Sequence, residues 1–243
     1  MGVGVPGRGP FSYPEGWGVL LPEDPFITVN VHYHKTPGEG SAVQDLTRAG
    51  FLFYEEGEVI DHVVETNLLP HRGWTIPAGH PNYEVNNTFD VEEDIYLLSM
   101  GPHMHYRGKA MRYELEHPDG ETETLLWVPD YDFNWQFLYE YKEPKLIPAG
   151  STLHMSWWFD NSEGNRFNPD PTASVQYGPA TTDEMANARI YYAPTTARGI
   201  VVGEPLPEDV LARARREDSL RRERTQLFDP SIDDFSWLEE DSQ

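Results

Sequence analysis

Glycine and proline interrupt this chain so often that long helices have little room to form. There are 20 glycines and 21 prolines in 243 residues, and short stretches with alternating apolar side chains lie between them. Glycine in a helix costs backbone entropy, and proline removes a backbone donor. Turn signals at short spacing, with period-two runs between them, are the pattern of antiparallel β structure. Residues 83–89, 94–100, 110–117, 123–128 and 152–159 read as strands, and Pro118-Asp-Gly-Glu121 reads as a hairpin turn. Further strands are expected at 26–34, 49–54, 173–177, within 59–69 and on the approach to Tyr192. Ile76-Pro-Ala-Gly79 and Ile147-Pro-Ala-Gly150 are one turn used twice. The expected fold is all-β, an antiparallel β-sandwich of jelly-roll-like type.

A charged, glycine-containing turn at 55–58 marks a boundary. We expect residues 1–57 to be part of a first β-sandwich and 58–203 to be the main sandwich. Residues 204–243 are expected to be a helix followed by an acidic tail. The helix is read at 207–224, where turn residues become scarce and Glu208 and Asp209 suit the positive end of the helix dipole. The opening Met-Gly-Val-Gly-Val-Pro-Gly-Arg-Gly-Pro lacks a basic region followed by an apolar core. It reads as the middle of a loop, so the chain is expected to be part of a longer protein.

A formal net charge of −23 repels nucleic acid and anionic membrane surfaces, and neither is expected as a partner. No apolar run reaches the roughly 18 residues of a spanning helix. The chain has no cysteine, which excludes disulfides, thiolate metal sites and cysteine nucleophiles. Any soft metal ligand must then be a methionine.

Within the stretch 96–108, His103 and His105 stand one residue apart. Strand alternation places them on one face, and two imidazoles on one face are half of a metal site. His32 and His34 share a face in the same way. His62, His71, His80 and His117 show no pairing pattern, and His154, between apolar neighbours, reads as a core histidine. A thioether could complete the first pair. Met185 stands where a polar turn enters the last strand, although residue chemistry alone leaves it one of six methionines. Two imidazoles and a thioether favour copper, since thioether suits Cu(I) and imidazole suits both oxidation states. Zinc rarely takes methionine. The loop at 160–171 is rich in oxygen donors but lacks EF-hand spacing, and turn chemistry accounts for it equally well.

Gly101-Pro-His-Met-His-Tyr-Arg-Gly-Lys109 and Thr182-Asp-Glu-Met-Ala-Asn187 resemble the copper type II, ascorbate-dependent monooxygenases. That family includes peptidylglycine α-hydroxylating monooxygenase and dopamine β-monooxygenase. Its catalytic domain carries a His-X-His pair and a downstream Asp-Glu-Met, and His103, His105 and Met185 match those copper ligands one by one. Asn30-Val-His-Tyr33 is similar to the segment that supplies one of three histidines of a second, electron-transfer copper, and His32 matches it. Asp130-Tyr-Asp-Phe-Asn-Trp-Gln136 and the loop that follows Asp160 look like bacterial members. The resemblance covers roughly residues 10–195. It implies two successive sandwiches with a copper on each, and ascorbate or a similar electron donor. It also implies dioxygen, a small-molecule or peptide-like substrate hydroxylated at an activated C–H, and an extracytoplasmic or periplasmic location.

Three departures shape these expectations. The second copper of the family needs an adjacent His-His pair, and this sequence has none. An upstream domain or a separate chain is expected to supply it. Peptide-amidating members carry arginine two positions before His-X-His, where this chain has Gly101. They carry tyrosine four positions after the methionine, where this chain has Arg189. Asn187 is kept, so Asn187 and Arg189 are the candidate substrate contacts. The main alternative is a non-catalytic copper-binding or partner-binding sandwich, and a third is an interaction module without metal.

Overall fold

The computed structural model describes residues 12–21, 46 and 48–216. His32, His34 and the strand expected at 26–34 lie outside the described residues. The chain divides into two compact units, one of Met1–Val19 with Asp61–Arg198, the other of Leu20–Ile60 with Gly199–Gln243.

The first unit is built on eight long strands. In chain order they are β1 (Glu65–His71), β2 (Tyr83–Asp90), β3 (Ile95–His103), β4 (Gly108–Glu116), β5 (Thr122–Val128), β6 (Tyr139–Ile147), β7 (Thr152–Phe159) and β8 (Ala186–Pro194). They form two four-stranded sheets with the orders β1-β8-β3-β6 and β2-β7-β4-β5. Every pairing within them is antiparallel. Eight strands dealt between two sheets in this order make a jelly roll.

The core follows from alternation. On β7, Leu153, Met155, Trp157 and Phe159 are buried and face the opposite sheet, while His154, Ser156 and Trp158 point away from it. β4 repeats this with Met111, Tyr113 and Leu115. His154 is therefore not a core histidine. It lies on the outer face of its sheet, with Nε2 2.9 Å from Glu116 Oε2.

Both copies of the repeated turn do the same job. Ile76 and Ile147 are buried, and each is followed by a four-residue turn closed from His80 N to Pro77 O and from Ser151 N to Pro148 O, 3.3 Å each. Gly79 and Gly150 sit third in those turns with φ of 68° and 81°, the conformation that a type II turn demands of glycine.

Two expectations need correction. The segment 139–147, charged and containing Pro144, is absent from the expected strands. It is β6, at the edge of its sheet, and its register with β3 shifts between Glu140 and Lys145. Edge positions and irregular register are where a sheet tolerates proline. Conversely, residues 49–54 form no strand. They join no strand ladder among the described residues, and Leu52 is 98% exposed.

In the second unit, Val59–Ile60 pairs antiparallel with Ile200–Val201. Residues 208–216 are helical, and Leu211 N bonds Pro207 O at 2.9 Å. This agrees with the expected helix start, and residues 217–243 lie outside the description. No described helix is long and apolar enough to cross a membrane.

Beside the sandwich, in the first unit, Trp17–Gly18 pairs parallel with His62–Val63. The His62 ring lies 4.1 Å from the Trp17 ring, and its Nδ1 is buried without a hydrogen-bond partner among the described residues. Burial lowers the His62 pKa; Asp61 opposes the shift and Arg198 adds to it. The unfolded chain then binds the proton more readily than the folded one. Stability from this group is complete above the unfolded pKa of about 6.5 and is lost as pH falls from there through the lower folded value. We predict that the urea midpoint drops as pH falls below about 6.5, and that His62→Phe flattens that drop. An unchanged pH slope in the variant would remove His62 as its source.

Candidate metal centre

The histidine pair sits at the end of β3. His103 is the last residue of the strand, and His105 lies two residues beyond it. Between them, Met104 is turned fully into the core. Both imidazoles are thereby directed to the other side, with ring centroids 5.2 Å apart and planes at 85°. The two rings do share one side as expected, although sheet pairing holds only His103.

What holds His105 is the segment that carries Met185. Glu184 is fully buried, and its carboxylate accepts His105 N–H (2.8 Å), Arg107 N–H and Met185 N–H (3.2 Å). The carbonyl of Asp183 lies 3.2 Å from His105 Nδ1. On β8, Asn187 stands opposite His103 in the ladder. The His-X-His and Asp-Glu-Met segments, about eighty residues apart in sequence, are thus laced together by backbone and carboxylate. Burial pushes the Glu184 carboxyl up to about 7, against the three N–H donors and the nearby Arg107 charge, which favour its ionised form.

Arg107 is also buried, and burial lowers its pKa while Glu184 opposes the shift. Its Nε donates to Asn161 Oδ1 at 2.7 Å and its Nη1 to Thr182 O at 2.8 Å. Asn161 in turn donates to Pro77 O and Ala173 O, 2.9 Å each. The polar loop at 160–171 therefore ties Arg107 in place. Gly108 closes the turn with N–H to His105 O at 3.1 Å. A Cβ there would lie 2.6 Å from Met104 Cβ and 2.8 Å from Tyr131 Cδ1, so only glycine fits.

Met185 is 9% exposed, and Asn187 Nδ2 donates to its Sδ at 3.2 Å. Tyr177 O–H donates to Asn187 Oδ1 at 3.2 Å. The Asn187 side chain, expected at the substrate, is thus buried and engaged with the thioether. Arg189 is half-buried and lies opposite Gly101, two residues before His103. A Cβ at Gly101 would lie 2.7 Å from Leu138 Cδ2, so a side chain there requires the Leu138 side chain to shift.

Sequence reasoning missed four contributors: Glu184, Arg107, Tyr131 and Gln136. The first two lie inside the motifs and the last two inside the aromatic loop at 130–137. Tyr131 O–H bridges the Met104 peptide, accepting from N at 3.1 Å and donating to O at 2.8 Å. Gln136 Oε1 lies 2.7 Å from His103 Nδ1.

No family model matches the chain. Curated relatives do, among them these two. DBH-like monooxygenase protein 1 of Homo sapiens is 25% identical over 199 residues, 76% of this chain and 31% of that protein. The Mus musculus protein of the same name is 26% identical over 212 residues, 79% of this chain and 32% of that protein. The chain therefore spans about a third of the length of these relatives. It is linked, at low identity, to the DBH-like monooxygenases. Among solved structures, a chain from the structure of infectious bursal disease virus Gt strain is similar with a TM-score of 0.21 and 9% identity, over 66% of this chain and 50% of that one. So distant a likeness bears on neither fold nor function.

Proposed function

We propose that the sandwich is the catalytic domain of a copper monooxygenase, with copper held by His103, His105 and Met185. The observation that carries this reading is the lacing of the Met185 segment onto the histidine pair through Glu184. The donor set fits the metal. Among the described residues, no three or more His, Cys, Asp or Glu side chains are grouped to hold an ion. Among those residues the third ligand would come from another residue type, and the Met185 thioether supplies a soft, neutral donor.

Bound there, copper would supply one-electron redox chemistry and dioxygen activation toward a substrate C–H. The chain's own groups bind and orient. Glu184 fixes the backbone of His105 and Met185, and Asn187 holds the thioether. Phe133 packs edge-on to His105, ring centroids 6.0 Å apart, and covers that ring. Arg189, beside Gly101 in the ladder, is our candidate for an anionic group on a small-molecule or peptide-like substrate. Electrons come from ascorbate or a similar donor, with His32 and an upstream domain or separate chain forming the second copper site.

The test is metal uptake followed by turnover. Protein loaded anaerobically with Cu(I) and dialysed is expected to retain one equivalent that a His103→Ala/His105→Ala variant does not. Ascorbate-driven oxygen consumption with candidate substrates then separates an enzyme from a copper-binding sandwich. Equal retention by wild type and variant would sink the assignment.

A further inference from the structure

The loop at 130–137 carries no metal ligand in the reading above, yet it reaches the histidine pair at three points. Tyr131 bridges the Met104 peptide between the two histidines. Phe133 lies against His105, and Gln136 against His103. The loop is itself braced, with Asn134 N–H on Asp132 Oδ1 at 2.8 Å and Trp135 N–H on Asp132 O at 2.9 Å.

The Gln136 contact has a direction. Its Nε2 donates to Phe133 O at 2.6 Å, which leaves Oε1 as the atom facing His103 Nδ1. An amide oxygen only accepts, so Nδ1 must carry the proton. In a neutral imidazole the lone pair then belongs to Nε2, and the short contact also fixes the ring plane. We infer that Gln136 is a positioning residue that holds His103 in the Nδ1–H tautomer and presets Nε2 as its coordinating atom. For His105 the same part is played by the Asp183 carbonyl, which belongs to the segment of Met185 itself. His103 has its support from a separate loop. This gives the aromatic loop a role distinct from packing: it prepares one ligand before any metal arrives.

The tautomer part stands on the geometry alone, and the consequence for copper rests on the proposed site. Two readouts keep them apart. In metal-free protein, long-range 1H–15N correlation spectra at neutral pH are expected to show His103 as a single Nδ1–H tautomer. Gln136→Leu should give a tautomer mixture, and Gln136→Glu, which retains an acceptor, should restore the single form. Gln136→Met serves in place of leucine if that variant does not fold. Tyr131→Phe, which loosens the loop without touching Gln136, should leave the His103 tautomer unchanged. Cu(I) affinity, read by competition with a chromophoric chelator, is expected to fall about 10- to 100-fold in Gln136→Leu and to recover in Gln136→Glu. An unchanged tautomer in Gln136→Leu, or equal spectra for leucine and glutamate variants, overturns the inference. A tautomer shift in a protein whose wild type holds Cu(I) no better than the double-histidine variant upholds Gln136 and rejects the copper site.

Discussion

Replacing Glu184 with leucine is expected to lower the thermal midpoint of the sandwich unit by about 10 °C. The carboxylate is fully buried and accepts three backbone N–H groups, from His105, Arg107 and Met185. A buried donor left without an acceptor costs about 1–3 kcal/mol, and three lose theirs here. These terms overlap, so we take about 4 kcal/mol for the whole. In a unit of this size each kcal/mol moves the midpoint by about 2–4 °C. Glu184→Gln should lose roughly half as much, because one carbonyl oxygen still accepts while the amide N–H₂ opposes a backbone donor. Differential scanning calorimetry of the metal-free variants checks both. A midpoint within about 2 °C of wild type for the leucine variant would mean the lacing does not hold the sandwich together.

How much of this could be read from the chain depends on the range of the interaction. Strands β2, β4 and β7 were legible because their alternation is local. Leu153, Met155, Trp157 and Phe159 occur at every second residue and all are buried. β6 was not legible. Its partner supplies the ladder that overrides Pro144 and the charges, and nothing in residues 139–147 announces that partner. The same divide runs through the site. His103 and His105 are separated by one residue, and spacing alone puts their rings side by side. The Glu184 contacts to His105 and Arg107 span 79 and 77 residues and the Gln136 contact to His103 spans 33. No periodicity encodes them. His154 shows the converse error, since apolar neighbours on a strand face the side opposite to the residue between them.

Met185→Leu is expected to lower Cu(I) affinity by at least about 100-fold, beyond the 10- to 100-fold typical of losing an outer-shell partner. Leucine is the informative substitution. Met185 is buried, and alanine would leave a cavity costing about 2–5 kcal/mol, whereas a methionine-to-leucine exchange keeps volume at under about 1.5 kcal/mol. What leucine removes is the sulfur, together with the Asn187 Nδ2–H contact that holds it. A thioether is a soft donor that prefers Cu(I), and the two imidazoles serve both oxidation states. Cu(II) affinity should therefore fall much less, and the copper potential should drop. His105→Ala is the contrast, because loss of an imidazole weakens both states together. Paired Cu(I) and Cu(II) competition titrations on the two variants distinguish a thioether ligand from a buried packing residue. If Met185→Leu leaves the ratio of the two affinities where wild type has it, the sulfur does not bind copper. Glu184 and Asn187 would then be holding a core methionine, and the histidine pair would need a different third ligand.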